Sequence, residues 1–237
     1  MATEHAVIVG GSSGIGLATA RRLLGDGLAV TILGRNEARL AKAKAELEGV
    51  GAIAVDATDR RRLETAFAQL GQVEHLVLAF GSRKGVGPFS QVDIEDVRQG
   101  FEEKVFPQFQ CAQIALPFVA RAGSMTFVSA VSAYTAAPGT AGIGAANAAI
   151  AALVPILAAE LKPIRVNGVA PRVIDTPWWD FLPEAQKLTA FEHYGAATPV
   201  GRIGKPEDVA GTIAFLVRNG FMTGQTIICD GGMSLSA

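Results

Sequence analysis

The sequence predicts an α/β fold of the Rossmann type: a doubly wound, seven-stranded parallel sheet with helices on both faces, in three α/β/α layers. Three observations predict it. Short runs rich in aliphatic and β-branched residues alternate with longer segments of helical period, the pattern of parallel strands joined by crossover helices. A glycine cluster, Gly10-Gly11-Ser12-Ser13-Gly14-Ile15-Gly16, occupies the first strand-to-helix turn, where glycines let the backbone approach a pyrophosphate and a helix N-terminus favours its charge. The chain has 237 residues, 49% hydrophobic and 18% charged, with Gly 27. That size and composition suit one domain, residues 1–237, with much buried surface and no need of a staple.

In order, the strands are expected near residues 5–10, 28–33, 52–55, 75–80, 125–129, 164–169 and 225–229, each a short apolar run bounded by turn residues. Helices are expected near 15–24, 37–47, 60–70, 94–119, 142–161 and 206–217. Asp59 and Asp93 stand where N-caps belong, and Pro206 at a first helical turn. Only residues 176–202 break the alternation. They form an aromatic-rich insertion carrying Trp178, Trp179, Phe181, Phe191 and Tyr194, read as a small substrate lid.

Composition excludes several classes. Lys+Arg 21 against Asp+Glu 22 gives a net charge of -1, and the one basic cluster, Arg60-Arg61-Arg62, reads as a solvated helix face. Neither a nucleic-acid nor an anionic-membrane partner is expected. Cys111, Cys229 and the scattered His5, His75 and His193 make neither a disulfide framework nor a metal site. A reducing, cytoplasmic location is expected, with no targeting segment. Residues 122–159 lack charge but are interrupted by serine, proline, glycine and asparagine, so no spanning helix of ~20 apolar residues is expected within them.

The glycine spacing resembles that of the short-chain dehydrogenase/reductase family, whose loop reads Thr-Gly-x-x-x-Gly-x-Gly; Val9 stands at the threonine. Further matches run along the chain: Asp56-Ala57, the segment Arg165 to Pro171, Ile174-Asp175-Thr176-Pro177, Gly201 to Ala210, and Thr223-Gly224-Gln225 to Gly232. The resemblance implies a dinucleotide held by Gly10, Ser12, Ser13, Gly14, Ile15, Gly16, Asp56, Ala57, Gly81, Pro171, Ile174 and Thr176. At the end of the second strand, Gly34 replaces an acidic residue that would repel a 2′-phosphate, and Arg35 follows. A guanidinium pairs bidentately with phosphate, so NADP(H) is expected over NAD(H).

Family members that reduce carbonyls use a tyrosine donor and a lysine one helical turn later. Here Ile143 and Asn147 fall at those positions, Ala130 at the family serine and Lys104 at the asparagine. Two readings follow. In one, the protein is an oxidoreductase with a rebuilt proton path. Lys104 enters the pocket from a neighbouring helix beside Asn147, Ser132 and Tyr134 supply hydroxyls, and an apolar activated carbonyl or quinone, whose charge delocalises, is the acceptor. In the other, it is a catalytically silent NADP(H)-binding sensor or partner subunit. Lys104 next to Glu102 and Glu103 also fits a solvated helix, and Ser132 and Tyr134 also fit turn and packing roles. The resemblance further implies a homo-oligomer, dimer or tetramer, built on the fourth and fifth helices, which carry Pro107 and Pro155.

Overall fold

A computed structural model of the chain describes residues 3–235. Its strands are β1 (His5–Val9), β2 (Ala29–Gly34), β3 (Gly51–Ala54), β4 (Val73–Leu78), β5 (Val119–Val128), β6 (Arg165–Pro171) and β7 (Thr226–Cys229). They form one seven-stranded sheet, ordered β3-β2-β1-β4-β5-β6-β7, with every pairing parallel. The helices are α1 (Gly14–Gly25), α2 (Glu37–Glu46), α3 (Arg60–Leu70), α4 (Ile94–Gly100), α5 (Phe106–Ala115), α6 (Ala141–Glu160), α7 (Glu184–Ala197) and α8 (Pro206–Arg218). Strand order reverses between β1 and β4, so a crevice opens beyond their carboxyl ends, the ordinary ligand site of such sheets.

Alternation along each strand sorts the core onto the two faces. Val7, Val9, Leu76, Leu78, Met125 and Phe127 pack with α3, α5 and α6 residues such as Phe67, Cys111 and Ile150. Ala6, Ile8, Ile32 and Val77 pack on the other face with α1, α2 and α8 residues such as Leu23, Leu40 and Ile213. The expected caps form: Asp59 accepts the Arg62 N–H and Asp93 that of Glu95.

Two expectations are corrected, and the insertion gains a helix not among those expected. The helix expected over 94–119 is not continuous. α4 gives way to a π-helical turn over Phe101–Val105, then α5, then a 3-10 turn at Leu116–Phe118, and Val119 already begins β5. Pro107 explains the widened turn. It has no N–H to return to Glu103, and the Phe106 N–H reaches the Phe101 carbonyl instead. The insertion at 176–202 contains that 14-residue helix, α7. Second, α6 runs unbroken for 20 residues with a mean hydropathy of 1.9, long and apolar enough by those measures to cross a membrane. Gly142 and Gly144 do not interrupt it because they serve close approaches: an added Cβ would lie 2.7 Å from the Gly85 carbonyl oxygen and 2.9 Å from that of Ser132. Its inner side, with Ile150 and Val154, belongs to the core.

Candidate active site

Gly10, with φ at 85°, turns the chain out of β1 and donates its N–H to the Leu33 carbonyl at 2.8 Å. At Gly16, a Cβ would run into the Gly10 carbonyl, so only glycine lets α1 start this close to the loop. Ser13 is the N-cap of α1 but makes no side-chain cap bond. The first-turn N–H groups are therefore left without a side-chain cap from Ser13, an arrangement that fits a pyrophosphate at this helix N-terminus. Ile15 follows within the first turn of α1.

The cofactor candidates Arg35, Asp56, Ala57, Pro171, Ile174 and Thr176 lie at or just beyond the carboxyl ends of β2, β3 and β6. A Cβ on Gly34 would lie 3.2 Å from Ser12 Oγ, which sets Ser12 beside the turn carrying Arg35. Asp56 Oδ1 accepts from the Thr58 N–H at 2.9 Å and its hydroxyl at 2.8 Å. The backbone bond from Thr58 does most to hold this carboxyl below its ordinary value, with Arg35 adding attraction and burial opposing. Ala57 turns its carbonyl to the Gln110 amide at 3.0 Å. Pro171 ends β6, and Ile174 is fixed by a bridge to Gly204. Thr176 then lies over Gly14, where an added Cβ would meet its side chain at 3.2 Å. The glycine turn and the loop after β6 thus close on each other.

Behind this crevice is a buried polar network. Lys104, carried inward by the π-helical turn, is 6% exposed. Its Nζ donates to Asn147 Oδ1 at 2.5 Å and to the Ser129 carbonyl at 3.2 Å. Asn147 Nδ2 donates to the Ile143 carbonyl at 2.9 Å and to Ser132 Oγ at 3.0 Å. Ser129 Oγ donates to the Asn147 carbonyl at 2.9 Å. The polarity is fixed twice over. The Ile143 carbonyl can only accept, which assigns Nδ2, and a lysine ammonium can only donate, which assigns Oδ1. Ser132 Oγ accepts from the amide, and among the described residues no acceptor takes its own proton. Lys104 makes no ion pair among the described residues, and burial lowers its pKa from 10.5 to about 7.

Of the four catalytic candidates, the structure brings together Lys104, Asn147 and Ser132. The solvated-helix alternative for Lys104 is ruled out by its burial. Tyr134 does not join them. The 3-10 turn Val131–Ala133 carries it outward, where it is 47% exposed and lines a groove of about 440 Å³ with Ala148, Ala151, Ala152 and Pro155 on the outer side of α6. The lid rings pack mainly on each other: Trp179 lies within 4.9 to 6.2 Å, centroid to centroid, of Trp178, Phe181, Phe191 and Tyr194.

Residues 9–234 match the family model described as enoyl-(acyl carrier protein) reductase. The chain is 32% identical to dehydrogenase/reductase SDR family member 4 of Caenorhabditis elegans, over 96% of its own length and 94% of that protein's. The chain belongs to the short-chain dehydrogenase/reductase family. Solved structures agree. An oxidoreductase of the family from Burkholderia thailandensis superposes with a TM-score of 0.90 at 28% identity, covering 100% of this chain and 94% of that one. A small-chain dehydrogenase in complex with NADPH gives 0.85 at 26% identity, over 99% and 100%. This short-chain dehydrogenase/reductase is an oxidoreductase of that type.

Sequence reasoning about this family member missed three residues of the site. Ser129 stood only as the end of the fifth strand, and Gln108 and Ser82 carried no reading. Gln108 had one visible sign, its place one turn after Lys104 and so on the same helix face, although Gln110 and Gln113 share the segment. Fully buried, it ties the ends of β4 and β5 by donating to the Phe80 carbonyl at 2.9 Å and that of Val128 at 3.2 Å.

Proposed function

We propose that this protein is an NADP(H)-dependent reductase whose acceptor is an apolar activated carbonyl or quinone, reduced through a site that departs from the family's usual tetrad. The observation that carries this reading is the Lys104–Asn147–Ser132 network. On the family resemblance, Ile143 and Asn147 would stand at the family's tyrosine and lysine, Ala130 at its serine and Lys104 at its asparagine. The choice of NADP(H) rests on Gly34, Arg35 and Ser12, with the NADPH-bound relative in support. Ser13 and Gly14 to Gly16 would hold the pyrophosphate, Asp56 and Ala57 would border the adenine, and Gly81, Pro171, Ile174 and Thr176 would wall the nicotinamide. When bound, that ring supplies hydride.

This chain's own part is electrostatic. The Lys104 ammonium polarises the Asn147 amide, which strengthens the amide's bond to Ser132 and leaves the serine O–H aimed outward at the acceptor oxygen. One hydrogen bond suffices where the developing charge delocalises, as in a quinone. A simple ketone develops a localised alkoxide, and lacking a positioned general acid costs it roughly 10²- to 10⁴-fold. Tyr134 has no part in this scheme.

The assembly proposed is a homo-oligomer, dimer or tetramer, covering the outer side of α6 and the half-exposed Phe106 and Phe109 of α5. Sedimentation checks it: a monomer at micromolar concentration overturns it.

The functional test is single-turnover transfer from 4-deuterated NADPH, with protein in excess, to quinones, activated ketones and simple ketones. Deuterium in product, with quinones at least about 100-fold faster than simple ketones, is expected. Equal rates overturn the electronic argument. Saturable NADPH binding without transfer to any acceptor overturns the reductase and favours a silent binding subunit.

A further inference from the structure

Lys104 and the residue before it, Glu103, both meet the loop that leaves β4. A Cβ on Gly81 would lie 3.5 Å from Lys104 Nζ. The next residue, Ser82, is 8% exposed and donates its hydroxyl to Glu103 Oε2 at 2.6 Å. The same hydroxyl accepts the Lys84 N–H at 3.0 Å, and the other Glu103 oxygen accepts from Gln99 at 3.0 Å. The Ser82 carbonyl in turn accepts the indole N–H of Trp178 at 3.3 Å. Trp178 packs edge-on to Trp179 and Phe181, and its backbone N–H reaches Thr176 Oγ1 at 3.4 Å. A continuous chain therefore runs from Thr176 over the glycine turn, through the lid, to the π-helical turn that carries Lys104.

We propose that Glu103 is a positioning residue which, through Ser82 and Trp178, holds the aromatic lid closed beside Lys104. The Ser82–Glu103 bond is charge-assisted, the stronger kind. It fixes the backbone of Ser82, and with it the carbonyl that anchors Trp178. Neither Glu103 nor Ser82 reaches the reacting atoms. Their effect is on whether the lid stays shut, which bears on acceptor binding. The kinetic consequence rests on the reductase reading; the optical one does not.

The chain has two tryptophans, so Trp179→Phe makes Trp178 the sole indole emitter. In that background, Glu103→Ala is expected to red-shift Trp178 emission and raise its acrylamide quenching about twofold or more. It is also expected to raise the quinone KM about tenfold, the loss of one hydrogen bond, while kcat stays within about twofold. Glu103→Gln keeps an acceptor oxygen for Ser82 and restores both readouts. Unchanged quenching in Glu103→Ala, or Glu103→Gln behaving like Glu103→Ala, overturns the proposal. If Glu103→Ala does not fold, Ser82→Ala removes the same bond and is read the same way. Should the parent show no turnover, the reductase reading fails and the quenching alone decides this one.

Discussion

Replacing Lys104 with methionine isolates the electrostatic cost of burying this lysine without an ion pair. Burial without an ion pair lowers this lysine from 10.5 to about 7, a difference worth about 5 kcal/mol. The folded value lies below the unfolded one, so between them the unfolded chain holds the proton and the folded chain does not. Stability therefore rises with pH through that window. The cost is fully present below about pH 7 and shrinks to about 1 kcal/mol near pH 10. Lys104→Met removes it but leaves Asn147 Oδ1 without its donor, a pH-independent loss of about 1–3 kcal/mol. The variant is thus expected to be about 2–4 kcal/mol more stable than the parent near pH 6 and equal or less stable near pH 10. Paired urea titrations across that range measure this. The variant's advantage should fall by about 4 kcal/mol, and a constant difference refutes the reasoning. His75, also lowered chiefly by burial, is present in both proteins and cancels. On the proposed mechanism, single-turnover transfer by the parent should likewise decline as pH rises through about 7, the value set by burial.

Asn147→Asp puts a carboxylate against Lys104 Nζ. The midpoint of that decline is expected to rise by at least about one pH unit while the maximal rate falls, and an unmoved midpoint would show that Lys104 does not set it. Gly34→Asp places a negative charge beside Ser12 and is expected to weaken NADPH binding at least about tenfold, measured by fluorescence titration, with NADH binding unharmed. Gly16→Ala drives a methyl into the Gly10 carbonyl. It should cost about 1–3 kcal/mol in urea unfolding and most of the NADPH affinity.

What was legible in the sequence was what local chemistry decides. The strands follow their apolar runs, and Asp59, Asp93 and Pro206 mark helix starts by capping chemistry alone, so strand positions and these helix starts fall close to expectation, apart from β5, which begins at Val119 rather than near residue 125. The glycine turn was legible because its glycines are required by steric contacts within a single turn. The break at residues 101–105 was less so: Pro107 announces a lost hydrogen bond, but whether a helix kinks, ends or widens depends on what packs around it. The inward aim of Lys104 follows from that widened turn, and its charged neighbours Glu102 and Glu103 pointed the other way. Tyr134 failed for a similar reason. Two residues beyond Ser132 on a 3-10 turn is enough rotation to send one side chain to the network and the other to the outer side of α6. Aromatic content in the lid was plain, but the rings satisfy each other, a pairing that spacing does not encode.

The burial of Lys104 also bears on whether the site turns over. A methionine would fill the same space without the penalty of about 5 kcal/mol near neutral pH, and nothing in the nucleotide cradle calls for a charge here. Gly10 to Gly16, Arg35, Asp56 and Thr176 do not bond to Lys104, so a subunit that only held NADP(H) would be free to lose it. What the ammonium adds is the polarisation of one amide, and that amide donates to a serine oxygen whose own proton has no acceptor among the described residues. Strained titratable groups persist where they serve a reaction. Lys104→Met should accordingly bind NADPH as the parent does yet transfer hydride at least about tenfold more slowly, because the amide, though still held by the Ile143 carbonyl, is no longer polarised. Parent-like transfer would mean that the buried charge serves nothing at this centre and that the donor must be sought elsewhere.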